Sequence, residues 1–257
     1  MVTPQRAAAS DRVLRREREF HDALSASFDG GELAPREPDE LEQGLLARAG
    51  QIAGADVLEL GCGTGDLTLE LLARGANLTA LDLSEGMVAV ASRRVDRYGR
   101  AGAHFVAAPV ESCGLASESY DLVIGKWILH HADIGGAARE IRRVLRPGGR
   151  AVFLENSGLN PLLIFARTYV TGHWGIPRYG TDDERPLSRR DYRVFEDGFS
   201  HFTREFPDFF VFQLFDRQVL KYRYPIAGKA LRGLDRAIGH INLLRRFSYH
   251  VLLEMET

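Results

Sequence analysis

Three glycines at alternate positions, Gly61, Gly63 and Gly65, sit in the run VLELGCGTGDL, between a strand-like and a helix-like stretch. Glycines at such a junction permit a tight turn and let backbone approach a ligand closely. Asp82 ends the next apolar run, about 20 residues on, where a carboxylate commonly accepts from the hydroxyls of a ribose. The spacing then separates two ligands. A dinucleotide fingerprint reads G-x-G-x-x-G and brings a pyrophosphate to a helix N-terminus. Here the third glycine comes one residue early, and Glu59 stands just before the loop. A carboxylate at that point is unhelpful for pyrophosphate and suits a cationic ligand.

A second group of chemical side chains follows the run SYDLVIGKWILHH. His130 and His131 fall at the carboxyl edge, where open α/β sheets place ligands. An imidazole titrates near neutral pH and could take a proton from a phenol, an enol or an amine; packing and hydrogen bonding are the alternative use. Trp127, just before them, could wall a pocket. Glu155 and Asn156 lie beyond a fifth run, where they could bond an acceptor hydroxyl or amine, or cap the loop. Phe20 and His21 stand in a helix ahead of the glycine loop. No metal-ligand set is readable, because the eight histidines are scattered and the adjacent pair lacks the i, i+4 spacing of two ligands on one helix face. Cys62, inside the glycine turn, reads as steric, and Cys113 lies in a loop with no readable base.

The elements that must carry these residues show in the apolar pattern. An amphipathic helix is expected from Asp11 to Phe28, after a frayed start, and a second one after the cap Asp39, ending at Gly50. DVLEL, LTALD, AHFVAA, SYDLVIG and RAVFLE then read as strands alternating with helices, which implies right-handed βαβ units and a buried parallel sheet. Past Glu155 the character shifts. Eight of the 14 phenylalanines lie between Phe195 and Phe215. FPDFFVFQLF reads as a strand, Ile226 to Phe247 as one or two helices, and SYHVLLEM as a last strand.

With these motifs in order, the stretch Val57 to Glu155 resembles the class I S-adenosylmethionine-dependent methyltransferases. VLELGCGTG is similar to their first motif, ALDLSEGMV to the second, SYDLVIGKWILHH to the fourth-strand motif and LRPGGRAVFLE to the turn before the fifth strand. The resemblance implies S-adenosylmethionine as cofactor and S-adenosylhomocysteine as product. It implies a binding set of Glu59, Gly61, Cys62, Gly63, Gly65, Asp82, Leu83, Met87, Val110, Glu111, Lys126 and Trp127. Asp82 would take the ribose, Glu59 the amino-acid end, and Leu83 and Met87 the adenine. One departure stands out. Ala108, Pro109 and Val110 replace the family's usual Gly-Asp-Ala, and proline has no side-chain acceptor for the adenine amino group.

The implied fold is a Rossmann-like, doubly wound seven-stranded sheet, mostly parallel with an antiparallel final strand. A helical lid (1–50), a cofactor core (51–156) and a cap with sheet completion (157–257) divide it. The cap would lie between the fifth and sixth strands, with Phe20, His21, Trp127, Tyr169, Trp174, Tyr179 and Tyr192 available to line an acceptor pocket. The tail resembles lipid, quinone and natural-product enzymes, so the implied acceptor is a small apolar or aromatic metabolite. His131, His130 and Glu155 are the candidates for base or positioning. An NAD(P)-dependent oxidoreductase and a non-catalytic cofactor-binding relative remain as alternatives.

Composition bounds the rest. Lys plus Arg is 33 against 35 for Asp plus Glu, a net charge of −2, which lacks the basic excess of a nucleic-acid binder. Two cysteines cannot staple a secreted fold, which favours a reducing cytoplasm. No apolar run approaches the roughly 20 residues of a membrane span. Between Arg217 and Arg246 there are eight Lys or Arg, a local basic excess that reads as a solvated face or a contact for an anionic acceptor or surface.

Overall fold

The computed structural model describes residues 4–28, 33–100, 102–173 and 185–257, with side chains from 12 onward. Trp174 and Tyr179 lie outside the described residues. Among the described residues, seven strands form one sheet: β1 (Asp56–Leu60), β2 (Asn77–Asp82), β3 (Ala103–Ala107), β4 (Tyr120–Lys126), β5 (Leu145–Asn156), β6 (His201–Glu205) and β7 (His250–Glu256). Their order is β3-β2-β1-β4-β5-β7-β6. The first five run parallel, and β7 is antiparallel to both β5 and β6.

Alternate residues of the central strands feed two cores, as a pleat buried on both faces requires. Leu58, Leu60, Val123, Phe153 and Leu253 face one layer, with Ile141 and Tyr192. Val57, Leu122, Ile124, Val152 and Leu252 face the other, with Leu45 and Leu71. The helices that cover the parallel half are α1 (Pro4–Ser25), α2 (Glu40–Ala49), α3 (Asp66–Ala73), α4 (Glu85–Arg97) and α5 (Ile134–Val144). Their starts are fixed locally. The Asp39 side chain accepts from the Glu42 N–H at 2.9 Å, and the Glu42 side chain accepts from the Asp39 N–H at 3.0 Å, a capping box on α2. The Ser84 hydroxyl accepts from the Met87 N–H at 3.0 Å and starts α4.

Strand order reverses at β1. The chain winds from β1 outward through β2 and β3, then returns to β4 on the other side. Such a switch point opens a crevice at the carboxyl ends of the strands. Helix α1 closes over one rim of it. Asp22 accepts from the Ser84 hydroxyl and from the Gly86 N–H, and Arg18 Nε donates to the Leu83 carbonyl at 3.3 Å.

The second half departs from the sequence expectation in two places. FPDFFVFQLF is not a strand: β6 is the preceding segment HFTRE, and Phe212–Phe215 is a short helix, α8, after α6 (Pro161–Tyr169) and α7 (Arg189–Gly198). β6 is an edge strand with four of its five residues exposed, so it lacks the alternating apolar signature. The Asp235 carboxylate accepts from the N–H groups of Val211, Phe212 and Gln213, which holds that apolar run in a helical start. The cap is also split. α6 and α7 lie between β5 and β6, but α8, a π turn (Asp216–Leu220), α9 (Pro225–Gly239) and α10 (Asn242–Arg245) lie between β6 and β7. At the N-terminus, α1 begins earlier than expected, at Pro4, and ends at Ser25.

Candidate active site

A cleft of about 300 Å³ opens at the carboxyl ends of β1, β2 and β4. Its floor is the glycine turn. Gly61, Gly63 and Gly65 all have positive φ, at 73°, 50° and 86°, a region that side chains rarely tolerate. A Cβ on Gly61 would fall 2.9 Å from Ile128, and one on Gly65 3.1 Å from Ala91, so packing also excludes side chains there. Gly63 is different. A Cβ there would meet nothing within 4 Å, so its bare backbone faces the cleft.

Asp82 is held beside that backbone. Its Oδ2 accepts from the Gly63 N–H and its Oδ1 from the Ser84 N–H, both at 2.9 Å. Two backbone donors therefore fix the carboxylate plane, and each oxygen keeps a second lone pair for hydroxyl groups. Glu59 lies deeper, 1% exposed, and accepts from the Thr68 hydroxyl at 2.6 Å. Burial pushes its carboxyl up to about 7, against the Thr68 hydrogen bond and the Lys126 charge. Lys126 lines the cleft while its ammonium pairs with Glu42. Burial pushes Glu42 up as well, but its bonds to Arg36 and Lys126 outweigh that and hold it at about 2. Trp127 follows with φ 53°, an unusual value for a bulky residue, stabilised by its N–H bond to Leu154 O at 2.8 Å. Its ring lines the cleft under the Lys126 ammonium, 5.1 Å away.

The two adjacent histidines are put to different uses. Glu155 is fully buried and does not line the cleft. Its Oε1 accepts from the N–H groups of Ile128 and Leu129 at 2.8 and 2.6 Å, and its Oε2 meets His130 Nδ1 at 2.8 Å. Glu155 and His130 thus bracket the turn after β4 from behind. His131 turns the other way, into the cleft, where its Nδ1 meets Glu17 Oε2 at 2.9 Å. His21 and Leu14 of α1 line the same wall.

Of the other expected residues, Cys62, Leu83, Val110 and Glu111 line the cleft. The Glu111 carboxylate accepts from the Asp133 N–H at 2.6 Å and so supports the start of α5. Pro109 lines the cleft too, with no side-chain acceptor to offer. Met87 is buried within α4 and Gly65 sits behind the turn; neither lines the cleft. Phe20 is 41% exposed and stacks edge-on against His21. Tyr169 is exposed on α6. Tyr192 is core: it is fully buried, and burial pushes its phenol up to about 12. A second, apolar cavity of about 900 Å³ lies inside the cap, among Leu163 and Ala166 of α6, Val170 just after it, Phe212 and Leu214 of α8, and Leu231 of α9.

Three contributors were not apparent from the sequence. Thr68 reaches Glu59 only because α3 packs it there, and Ile128 forms the roof over Gly61. Glu17 meets a histidine 114 positions away. Its one local signal was a spacing of four from His21 on the same helix.

Comparison with known proteins agrees with this geometry. A family model described as a methyltransferase domain matches residues 58–153. The chain is 35% identical over 128 residues to a malonyl-[acyl-carrier protein] O-methyltransferase of Pseudescherichia vulneris, covering 49% of this chain and 48% of that protein. It is 28% identical over 148 residues to a demethylmenaquinone methyltransferase of Lactococcus lactis, covering 55% and 59%. It thus spans about half the length of the curated relatives it matches. A geranyl diphosphate C-methyltransferase from Streptomyces coelicolor, solved with S-adenosyl-L-homocysteine, shares the fold at a TM-score of 0.63 and 15% identity, over 95% of this chain and 97% of that one. The glycine turn, the oriented Asp82 and the strand-order reversal at β1 all fall within residues 58–153 or beside them, the stretch that is similar to methyltransferase domains.

Proposed function

We propose that this protein transfers a methyl group from S-adenosylmethionine to O, N or C of a small, apolar or aromatic metabolite. The observation that carries the reading is the pairing of Asp82, fixed by two backbone donors, with the bare Gly63 backbone at the floor of the cleft. The residues fit the cofactor: a ribose-type acceptor in Asp82, a buried carboxylate in Glu59, and apolar walls from Leu83, Val110 and Trp127. When bound, the cofactor supplies an activated methyl on a sulfonium. The protein's part is then alignment and exclusion of water. Asp82 and the glycine backbone hold the nucleoside end, Glu59 takes the ammonium, and Ile128 and Trp127 set where the methyl group faces. Helix α1, pinned by Asp22 to Ser84 and Gly86, closes the rim.

The acceptor side is more apolar than charged. The cap cavity offers apolar volume for a tail, and the net charge of −2 gives no general attraction for nucleic acid. No described helix is long and apolar enough to cross a membrane. Cys62 and Cys113 are both free and buried, in keeping with a cytoplasmic setting. Incubation with S-adenosylmethionine and a panel of phenols, quinols, amines and acyl thioesters tests the activity. One acceptor class should gain the mass of a methylene group; no gain across the panel, with cofactor bound, would favour a binding protein without turnover.

Glu59 gives a pH-dependent check. In the free protein its carboxyl is pushed up to about 7 by burial, so at pH 6 it is mostly protonated. An ammonium bound beside it favours the ionised form and drives that proton off. Calorimetry with S-adenosylhomocysteine at pH 6, in two buffers of different ionisation enthalpy, should therefore show release of close to one proton. Glu59→Gln should show none, and equal release from both would remove Glu59 from the ammonium site. The same shift bears on stability. Between the ordinary value of 4.5 and about 7 the folded protein holds the proton that the unfolded chain has lost, so stability falls as pH rises through that window.

A further inference from the structure

Two imidazoles and one carboxylate converge at the rim of the cleft. Glu17 and His21 stand one turn apart on α1, so both leave the same face of the helix. His131 arrives from the turn after β4. His131 Nδ1 lies 2.9 Å from Glu17 Oε2, His21 Nε2 lies 3.7 Å from the same oxygen, and one donor atom from each of the three falls within 4.8 Å of the others. The rings of His21 and His131 meet edge to face at 5.5 Å. All three side chains line the cleft that Asp82 and Glu59 also line.

The 2.9 Å between His131 and Glu17 is close to the spacing of two ligands on one ion, and His21, at 3.7 Å from the same oxygen, would join them after a small side-chain shift. Two ligands each about 2.1 Å from one ion sit roughly 3.0–3.4 Å apart at tetrahedral or octahedral angles. A spacing of four on a helix is the usual way to present two ligands from one face. Two imidazoles with a carboxylate form a donor set of borderline softness, suited to zinc and its divalent neighbours and less to magnesium or calcium. Glu17 is 2% exposed, so its carboxylate sits away from bulk water.

We propose that Glu17, His21 and His131 bind one divalent transition-metal cation, with its open coordination position toward the cleft. The position would take an oxygen of the methyl acceptor, a phenol or an enol. This last step rests on the methyl-transfer reading; the cation site itself does not. Coordination lowers the pKa of the acceptor O–H, and its proton leaves to water. The oxyanion's electron pair then forms the new bond to the methyl carbon as the carbon–sulfur bond breaks, its pair staying on sulfur.

The test uses the whole chain, stripped with a chelator and titrated calorimetrically with zinc chloride. One equivalent should bind, and cobalt(II) chloride should give visible bands of a low-symmetry nitrogen and oxygen site. Glu17→Gln, His21→Gln and His131→Gln should each weaken zinc binding by more than about tenfold, since even residues behind metal ligands cost that much. Circular dichroism selects the variants that remain folded. Absence of one-equivalent binding by the unaltered protein, or unchanged affinity in the folded variants, would overturn the site. A parallel titration with S-adenosylhomocysteine separates the two proposals. Zinc bound without S-adenosylhomocysteine would fail the methyl-transfer reading alone, and the reverse would fail the cation site alone.

Discussion

Asp82→Ala is expected to weaken S-adenosylhomocysteine binding by roughly 10–100-fold, about 1.5–3 kcal/mol, the loss that follows removal of hydrogen bonds to a charged group. The effect should be large because the carboxylate is already oriented. The N–H groups of Gly63 and Ser84 hold one lone pair of each oxygen, leaving the others for a ligand at little further entropic cost. Asp82→Asn should fall between, since an amide keeps one acceptor oxygen and loses the charge. Melting temperatures measured beside the titration show how much of the change comes from the glycine turn losing its anchor. Unchanged affinity in a folded Asp82→Ala protein would reject the ribose assignment.

The largest expected effect on stability belongs to Arg94. Its side chain is fully buried under the glycine turn. It donates to the carbonyl of Thr64 at 2.5 Å, to those of Leu33 and Ala34 at 3.1 and 3.4 Å, and to the Asp66 carboxylate at 2.9 Å. One guanidinium therefore ties α4 to the glycine turn, to the first turn of α3 and to the segment that follows α1. Arg94→Met keeps much of the volume and strands those acceptors. A cost of about 2–4 kcal/mol is expected, mostly from buried carbonyls left without a donor, since Asp66 keeps access to water, or a melting temperature lower by about 5–15 °C for a chain of this size. Lysine should not restore it, because one ammonium cannot span a fork of carbonyls. Calorimetric melting checks this, and a loss below about 1 kcal/mol would mean that water replaces the fork.

What could be read in the sequence divides along physical lines. The cofactor half was legible because its demands are local. The positive φ angles at Gly61, Gly63 and Gly65 require glycine or strain, and Asp82 and Ser84 end a strand and cap a helix within three residues. The alternation of buried strands and amphipathic helices carried the parallel half for the same reason. The polar edge strand β6 did not show because it is mostly exposed, and the apolar run beside it looked more strand-like than the strand. The different uses of His130 and His131 were hidden, since one is set by Glu155 and the other by Glu17, each far away in the chain. Glu17 and His21 carried the helical spacing of a ligand pair, but the third member comes from the other end of the cofactor half.

The central claim is that the cleft at β1 and β4 binds S-adenosylmethionine in place of a dinucleotide. Calorimetric titration of the unaltered protein with S-adenosylhomocysteine and, separately, with NAD tests it most directly. One equivalent of S-adenosylhomocysteine should bind, with affinity that falls in Asp82→Ala, and NAD should not compete. Binding of NAD without S-adenosylhomocysteine would contradict the account.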